Sequence, residues 1–214
     1  MDVKRHSSSE ETASALADTR SRQTSARVAD DVLLDAARQC VLAVGVRRTT
    51  LAEIARTAQV SRMTVYRRFP DVRSVLAALM TREFSGLLQR AGQAGDDAPH
   101  TRARIVRIAS ASVSALSGDP LFRTLLDLDP ELVLPYIVER LGATQKFSEQ
   151  VLAKLVEAGH RDGSVRMAQV AVQVRSVLLV VQSFAFSLRP ATADLDETAL
   201  LAEFRHLVDA ALRP

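Results

Sequence analysis

Arg62, Met63, Thr64, Tyr66, Arg67 and Arg68 follow one another closely behind Ser61, a residue suited to cap a helix. At about 100° per residue, Val65 and Phe69 fall on one side of that helix and pack inward. Arg67 centres the opposite side, with Met63 and Thr64 beside it. Tyr66 and Arg68 lie on the flanks, and Arg62 occupies the first turn. An arginine there opposes the helix dipole, which favours a carboxylate. Only Asp71 offsets Arg67, Arg68 and nearby Arg73. Cations so placed make sense when the helix meets an anion such as DNA phosphate. A solvated basic face on an ordinary helical hairpin would carry the same arginines, so the surrounding residues must decide.

Those residues describe a second helix in front of the first. Thr50 with Glu53 three positions later is a capping-box pattern. Leu51, Ile54, Ala55 and Ala58 give one apolar side, and small Ala55 admits a closely crossing helix. Gln59-Val60-Ser61 breaks the pattern. Upstream, Val28, Val32, Ala36, Cys40 and Val44 follow an i,i+4 line that predicts a helix over 26–44, stopped by Gly45. From Arg20 to Arg73 eleven arginines face five acids, a net +6 in a chain whose total is +3. A basic segment on a mildly acidic remainder suits a nucleic-acid module joined to another kind of module.

Thr49-Thr50, Ile54-Ala55, Ala58, Val60-Ser61, Thr64, Tyr66 and Phe69, followed by an apolar helix from Val72, resemble the DNA-binding segment of the tetracycline-repressor (TetR) family of bacterial regulators. Gln59 departs from the family's usual turn glycine. Val72 stands where some members carry a phosphate-binding lysine, so no contact is carried to it. The resemblance implies an all-α fold. A disordered tail (1–25) precedes a three-helix DNA-binding domain with a helix-turn-helix (26–70). A larger helical effector-binding and dimerisation domain (71–214) follows. It also implies a repressor that binds a near-palindromic operator on double-stranded DNA as a homodimer and is released by a small-molecule effector. Arg62, Met63, Thr64 and Arg67 are then expected at base edges, where arginine suits guanine and Met63 or the Thr64 methyl suits the thymine methyl. Thr50, Tyr66 and Arg68 are expected at phosphates.

Downstream, helical periodicity covers 71–90, a lever candidate between the two domains, then 100–116, 121–128, 132–141 with a bend near Pro135, 144–160, 168–188 and 195–212. The 168–188 segment is apolar nearly all round, so it needs cover on nearly every side. In the TetR family the last two helices pair between subunits, which places Val177, Val181, Leu201 and Leu207 at the expected dimer interface. Met80, Phe84, Phe122, Leu126, Tyr136, Phe147 and Phe184 are the candidates to line an effector pocket. Tyr136 is notable because a buried phenol needs a polar partner.

Several classes fall away. No Gly-rich phosphate loop or nucleophile elbow is present. His6, His100, His160 and His206 lack metal-ligand spacing to each other or to the lone Cys40, and Glu203 with His206 has no second such pair. No enzyme activity, metal or cofactor is expected. One cysteine fits a reducing cytoplasm. The most apolar run, Ser176 to Leu188, is too short to cross a bilayer. The other readings are a constitutive DNA-binding regulator without a ligand, and a helical interaction module that never meets DNA.

Overall fold

The computed structural model describes residues 30–214, the side chains of Tyr136 and Val138 excepted. The expected tail over 1–25 and the first turn of the first helix lie outside the described residues. Among the described residues there is no strand. Helix α1 (30–44) ends at Gly45, whose φ of 80° suits a residue without Cβ. Its N–H bonds to Val41 O at 2.8 Å, the single bond of an αL cap. A buried Thr49 returns its hydroxyl to Gly45 O at 2.8 Å and tightens the loop before α2 (Leu51–Thr57). Helices α3 (Arg62–Arg68) and α4 (Val72–Gly92) follow.

These helices share one core. Leu33, Ala37 and Val41 from α1 meet Leu51, Ile54 and Ala55 from α2, Val65 from α3, and Val75 and Leu79 from α4. Burying each of the larger side chains contributes roughly 1.5–3 kcal/mol. Leu121 and Leu125 of α6 (Pro120–Leu128) belong to the same core. The packing unit around the helix-turn-helix therefore includes residues far downstream of position 70. Arg82 ties α4 to α1 through Asp35 at 2.8 Å and the Asp31 carbonyl at 3.1 Å.

A second core is built on α5 (Thr101–Gly118), which packs against α4, α8 (Ala143–Arg161), α9 (Val170–Ala191) and α10 (Glu197–Leu212). Ile105, Val113, Val156, Val174, Phe204 and Val208 meet there. The helix expected over 132–141 is replaced by a 3-10 turn (Pro130–Leu132) and one helical turn, α7 (Pro135–Val138). Pro135 has no N–H to donate into a helix begun at 132. Helix α9 runs on through Pro190, because a proline in the last turn removes only one bond and Thr192 N recaptures Leu188 O at 3.0 Å. At 22 residues α9 is long and apolar enough, by length and composition, to cross a membrane. The apolar run noted in the sequence, Ser176 to Leu188, is the middle of this longer helix. A core helix meets the same criterion, and the inner face of α9 packs on α5 and α8.

Candidate nucleic-acid interface and effector cavity

Local caps set the helix-turn-helix. Thr50 Oγ1 accepts from Glu53 N at 3.2 Å, and Ser61 Oγ accepts from Thr64 N at 3.1 Å. Between them, Val60 N bonds to Ala55 O at 3.0 Å and Gln59 N to Arg56 O at 3.2 Å, which is a Schellman ending. Such an ending needs a left-handed residue, and Gln59 supplies it at φ 56°. Val65 is fully buried beneath α3, and Phe69 N closes on Val65 O at 2.8 Å.

With Val65 inward, α3 presents its other side outward. Met63 is 74% exposed and Tyr66 51%, with Arg62 and Arg67 exposed beside them. Among the described residues neither Arg62 nor Arg67 makes an ion pair. Thr64 is half-buried, its hydroxyl 2.9 Å from that of Ser61. Thr50 is exposed at the start of α2. Arg68 differs from the others, since both its Nε and Nη2 bond to the Asp30 carboxylate of α1. These hydrogen bonds and the charge of Asp30 raise the guanidinium pKa further. Its cation is already neutralised within the subunit.

Below this unit lies a cavity of about 990 Å3, at the upper end of small-molecule site volumes. Met80 and Phe84 of α4, Phe122 of α6 and Phe147 of α8 line it. Phe122 stands between Phe84 and Phe186, with centroid distances of 5.5 and 5.4 Å. Two expected wall residues are elsewhere. Phe184 stacks on Phe204 of α10 at 4.7 Å, and Leu126 is off the wall while Leu125 is on it. The Tyr136 side chain lies outside the described residues.

Phe186, Ser112 and Gln182 also line the cavity and were not singled out in the sequence. Ser112 carried a signal, as the one polar residue in the stripe Ile105, Ile108, Ala109, Ser112, Leu116. The ionisable wall residues Asp71, Arg73, Glu131, Arg140 and Arg175 are all exposed, so they form a rim.

The expected dimer residues divide. Val177 and Val181 are 5% and 9% exposed and pack in the second core, so they face into their own subunit. Leu201 is half-buried against the same core. The outward side of α9 instead carries Val172, Ser176, Leu179 and Ser183, and Leu207 is exposed on α10. Two histidines serve locally: His100 Nδ1 caps α5 at Ala103 N, 3.1 Å, and His160 lies 2.8 Å from Gln173 Oε1. Cys40 is buried in the first core, 3.5 Å from the Thr57 hydroxyl.

A helix-turn-helix whose outward Arg62 and Arg67 make no ion pair among the described residues, carried on an all-helical body around an apolar cavity, is the architecture of a DNA-binding transcriptional regulator. Residues 33–79 match the family described as bacterial regulatory proteins, tetR family. The chain is 39% identical over 180 residues to an uncharacterized HTH-type transcriptional regulator of Mycobacterium bovis, covering 84% of this chain and 92% of that one. This chain belongs to the TetR family of bacterial transcriptional regulators, which are not enzymes. The fold is shared with the regulator FadR of Bacillus subtilis in complex with stearoyl-CoA (TM-score 0.63, 15% identity, 85% of this chain and 98% of that chain). It is also shared with the TetR-family repressor QsdR of R. erythropolis (TM-score 0.62, 13% identity, 88% and 97%).

Proposed function

We propose that this regulator is a homodimeric repressor that holds a near-palindromic operator and is released by a small lipophilic effector. One observation carries the reading: α4 belongs to both working parts. Its Val75 and Leu79 lie in the core beneath the helix-turn-helix, and its Met80 and Phe84 lie in the cavity wall. A molecule that fills the cavity therefore touches the helix on which the DNA-binding unit sits. In this reading residues 26–70 are the DNA-binding unit, and 71–214 bind effector and partner.

Arg62, Met63, Thr64 and Arg67 read base edges in the major groove, while Thr50 and Tyr66 reach phosphates. Two copies, paired through the outward faces of α9 and α10, present two α3 helices to successive major grooves, about 34 Å apart. Effector favours another tilt of α4 and shifts the population away from the operator-binding state, by its differential affinity for the two states. The aliphatic and aromatic wall supports a lipophilic effector, and the stearoyl-CoA in complex with B. subtilis FadR carries a long apolar acyl chain of matching character. A regulator of this type acts in the cytoplasm.

Selection of bound fragments from random DNA, followed by fluorescence anisotropy at several salt concentrations, tests the reading. A two-fold-related consensus and an affinity that falls with salt are expected. Absence of any preferred sequence would remove the proposal.

A further inference from the structure

We infer that the effector is a lipophile with a neutral hydrogen-bonding group, such as a carbonyl, ester, amide or hydroxyl, set within its apolar body, and that Ser112 and Gln182 receive that group. The inference rests on the effector reading above and narrows it to a chemical class.

The Ser112 side chain lies in the cavity wall at 5% residue exposure. Several other hydroxyls on helices of this chain turn back onto their own helix. Thr81 bonds to Ala77 O at 2.8 Å, Thr124 to Pro120 O at 2.9 Å and Ser148 to Thr144 O at 2.9 Å. Ser112 makes no such bond, nor any other to the described residues. Gln182, in the wall on α9, contrasts in the same way with Gln173 one face away. Both ends of the Gln173 amide are used, with Oε1 2.8 Å from His160 Nε2 and Nε2 donating to Arg166 O at 3.0 Å. Neither end of the Gln182 amide is engaged by a described residue. Ser112 is buried and Gln182 half-buried, and polar groups withdrawn from water are as a rule hydrogen-bonded. Two that face one cavity without partners inside the protein mark where a partner enters with the ligand.

The charge of that partner follows from the rim. Every ionisable wall residue is exposed, and Arg175 is held at 2.5 Å by Glu149. The interior offers no countercharge, so an ionised group drawn inside would be buried without a partner. A hydroxyl and an amide, each both donor and acceptor, suit a neutral group.

The test uses the full chain, dodecan-2-one and dodecanoate as probes, and the variants Ser112→Ala and Gln182→Leu. Calorimetric titration of the unaltered protein is expected to give at least tenfold tighter binding of dodecan-2-one than of dodecanoate at pH 8. Each variant is expected to lose three- to tenfold in affinity for dodecan-2-one. Its melting temperature without probe should be unchanged or raised, because a hydroxyl or amide without an internal partner stabilises nothing by being there. Wild-type ketone affinity in both variants, or dodecanoate binding as tightly as the ketone, would overturn the inference and leave the cavity as an effector site. Failure of both probes to bind the unaltered protein would overturn the effector reading, and this inference with it.

Discussion

The Asp129 carboxylate accepts a hydrogen bond from Val46 N at 2.8 Å, across 83 residues of sequence. The link arises from how α1 ends. Its αL cap uses the Gly45 N–H and leaves the next amide, Val46, pointing away from the helix. Asp129, buried at the end of α6, takes that amide and lies 3.4 Å from Arg47 Nε. A Cβ at Gly45 would stand 3.3 Å from Leu128 Cδ1 and 3.4 Å from Asp129 Oδ2, so the approach is close. Val46 and Leu125 also line the cavity. The loop that leads into Thr50 is thus pinned to the cavity's own wall.

Asp129→Ala removes the acceptor and leaves a buried N–H unsatisfied. Destabilisation of about 1–3 kcal/mol is expected, read from urea unfolding. Asp129→Asn, which keeps one carbonyl oxygen in place, should lose less. Equal stability of all three proteins would show that the bond contributes nothing.

Arg67→Ala should weaken operator binding by about 1–3 kcal/mol and relax preference at one position in each half-site. Arg68→Ala should do little to base preference, since Arg68 is paired with Asp30. Asp30→Ala frees that guanidinium, so binding to random DNA should tighten and its salt dependence steepen by about one counterion. Anisotropy titrations at four salt concentrations measure all three. A flat response to Asp30→Ala would mean that Arg68 never reaches phosphate.

Gln59 occupies a left-handed position where glycine carries no Cβ penalty. Gln59→Gly relieves that cost and forfeits part of it through the greater freedom of the unfolded chain. The net expectation is a gain of about 0.5–1 kcal/mol with unchanged operator affinity. A lower melting temperature would contradict it.

Glutamate at two positions of α9 should separate folding from assembly. Val177→Glu buries a charge in the subunit's own core and should prevent folding. Leu179, 59% exposed on the outward face, should tolerate Glu in the fold but not in the dimer. Sedimentation of a folded, monomeric Leu179→Glu protein is the expected result, and an intact dimer would locate the interface elsewhere.

Acid stability should depend on Asp162. Hydrogen bonds from the Ser164 hydroxyl, then the Thr101 hydroxyl, with both backbone amides, hold its carboxyl well below the usual range. A depressed folded-state pKa adds stability above the unfolded value, near 4, that is lost as pH falls toward the folded one. Asp162→Asn should therefore narrow its stability deficit as pH drops below about 4. Thermal melts from pH 7 to pH 2.5 check this, and a constant deficit would show that the shift is absent.

Thr50, Ser61 and Gly45 could be read from the sequence as caps because capping is settled within a few residues of chain. The outward face of α3 was legible for a related reason: one buried Val65 fixes the rotation of a short helix. The two functional halves differ at α9. Phe184 and Phe186 sit about 200° apart on that helix, yet nearly every side of it is apolar, so periodicity could not say which side meets the cavity. Packing decides it, with Val177, Val181 and Gln182 on the cavity wall, Phe186 against Phe122, and Phe184 against Phe204. Likewise a charge count shows that Arg68 is basic, but only the fold brings Asp30 to it from 38 residues away. Short-range hydrogen bonds and one-sided patterns are written in the chain, while partners distant in sequence, and the orientation of a helix apolar all round, come only from the tertiary contacts.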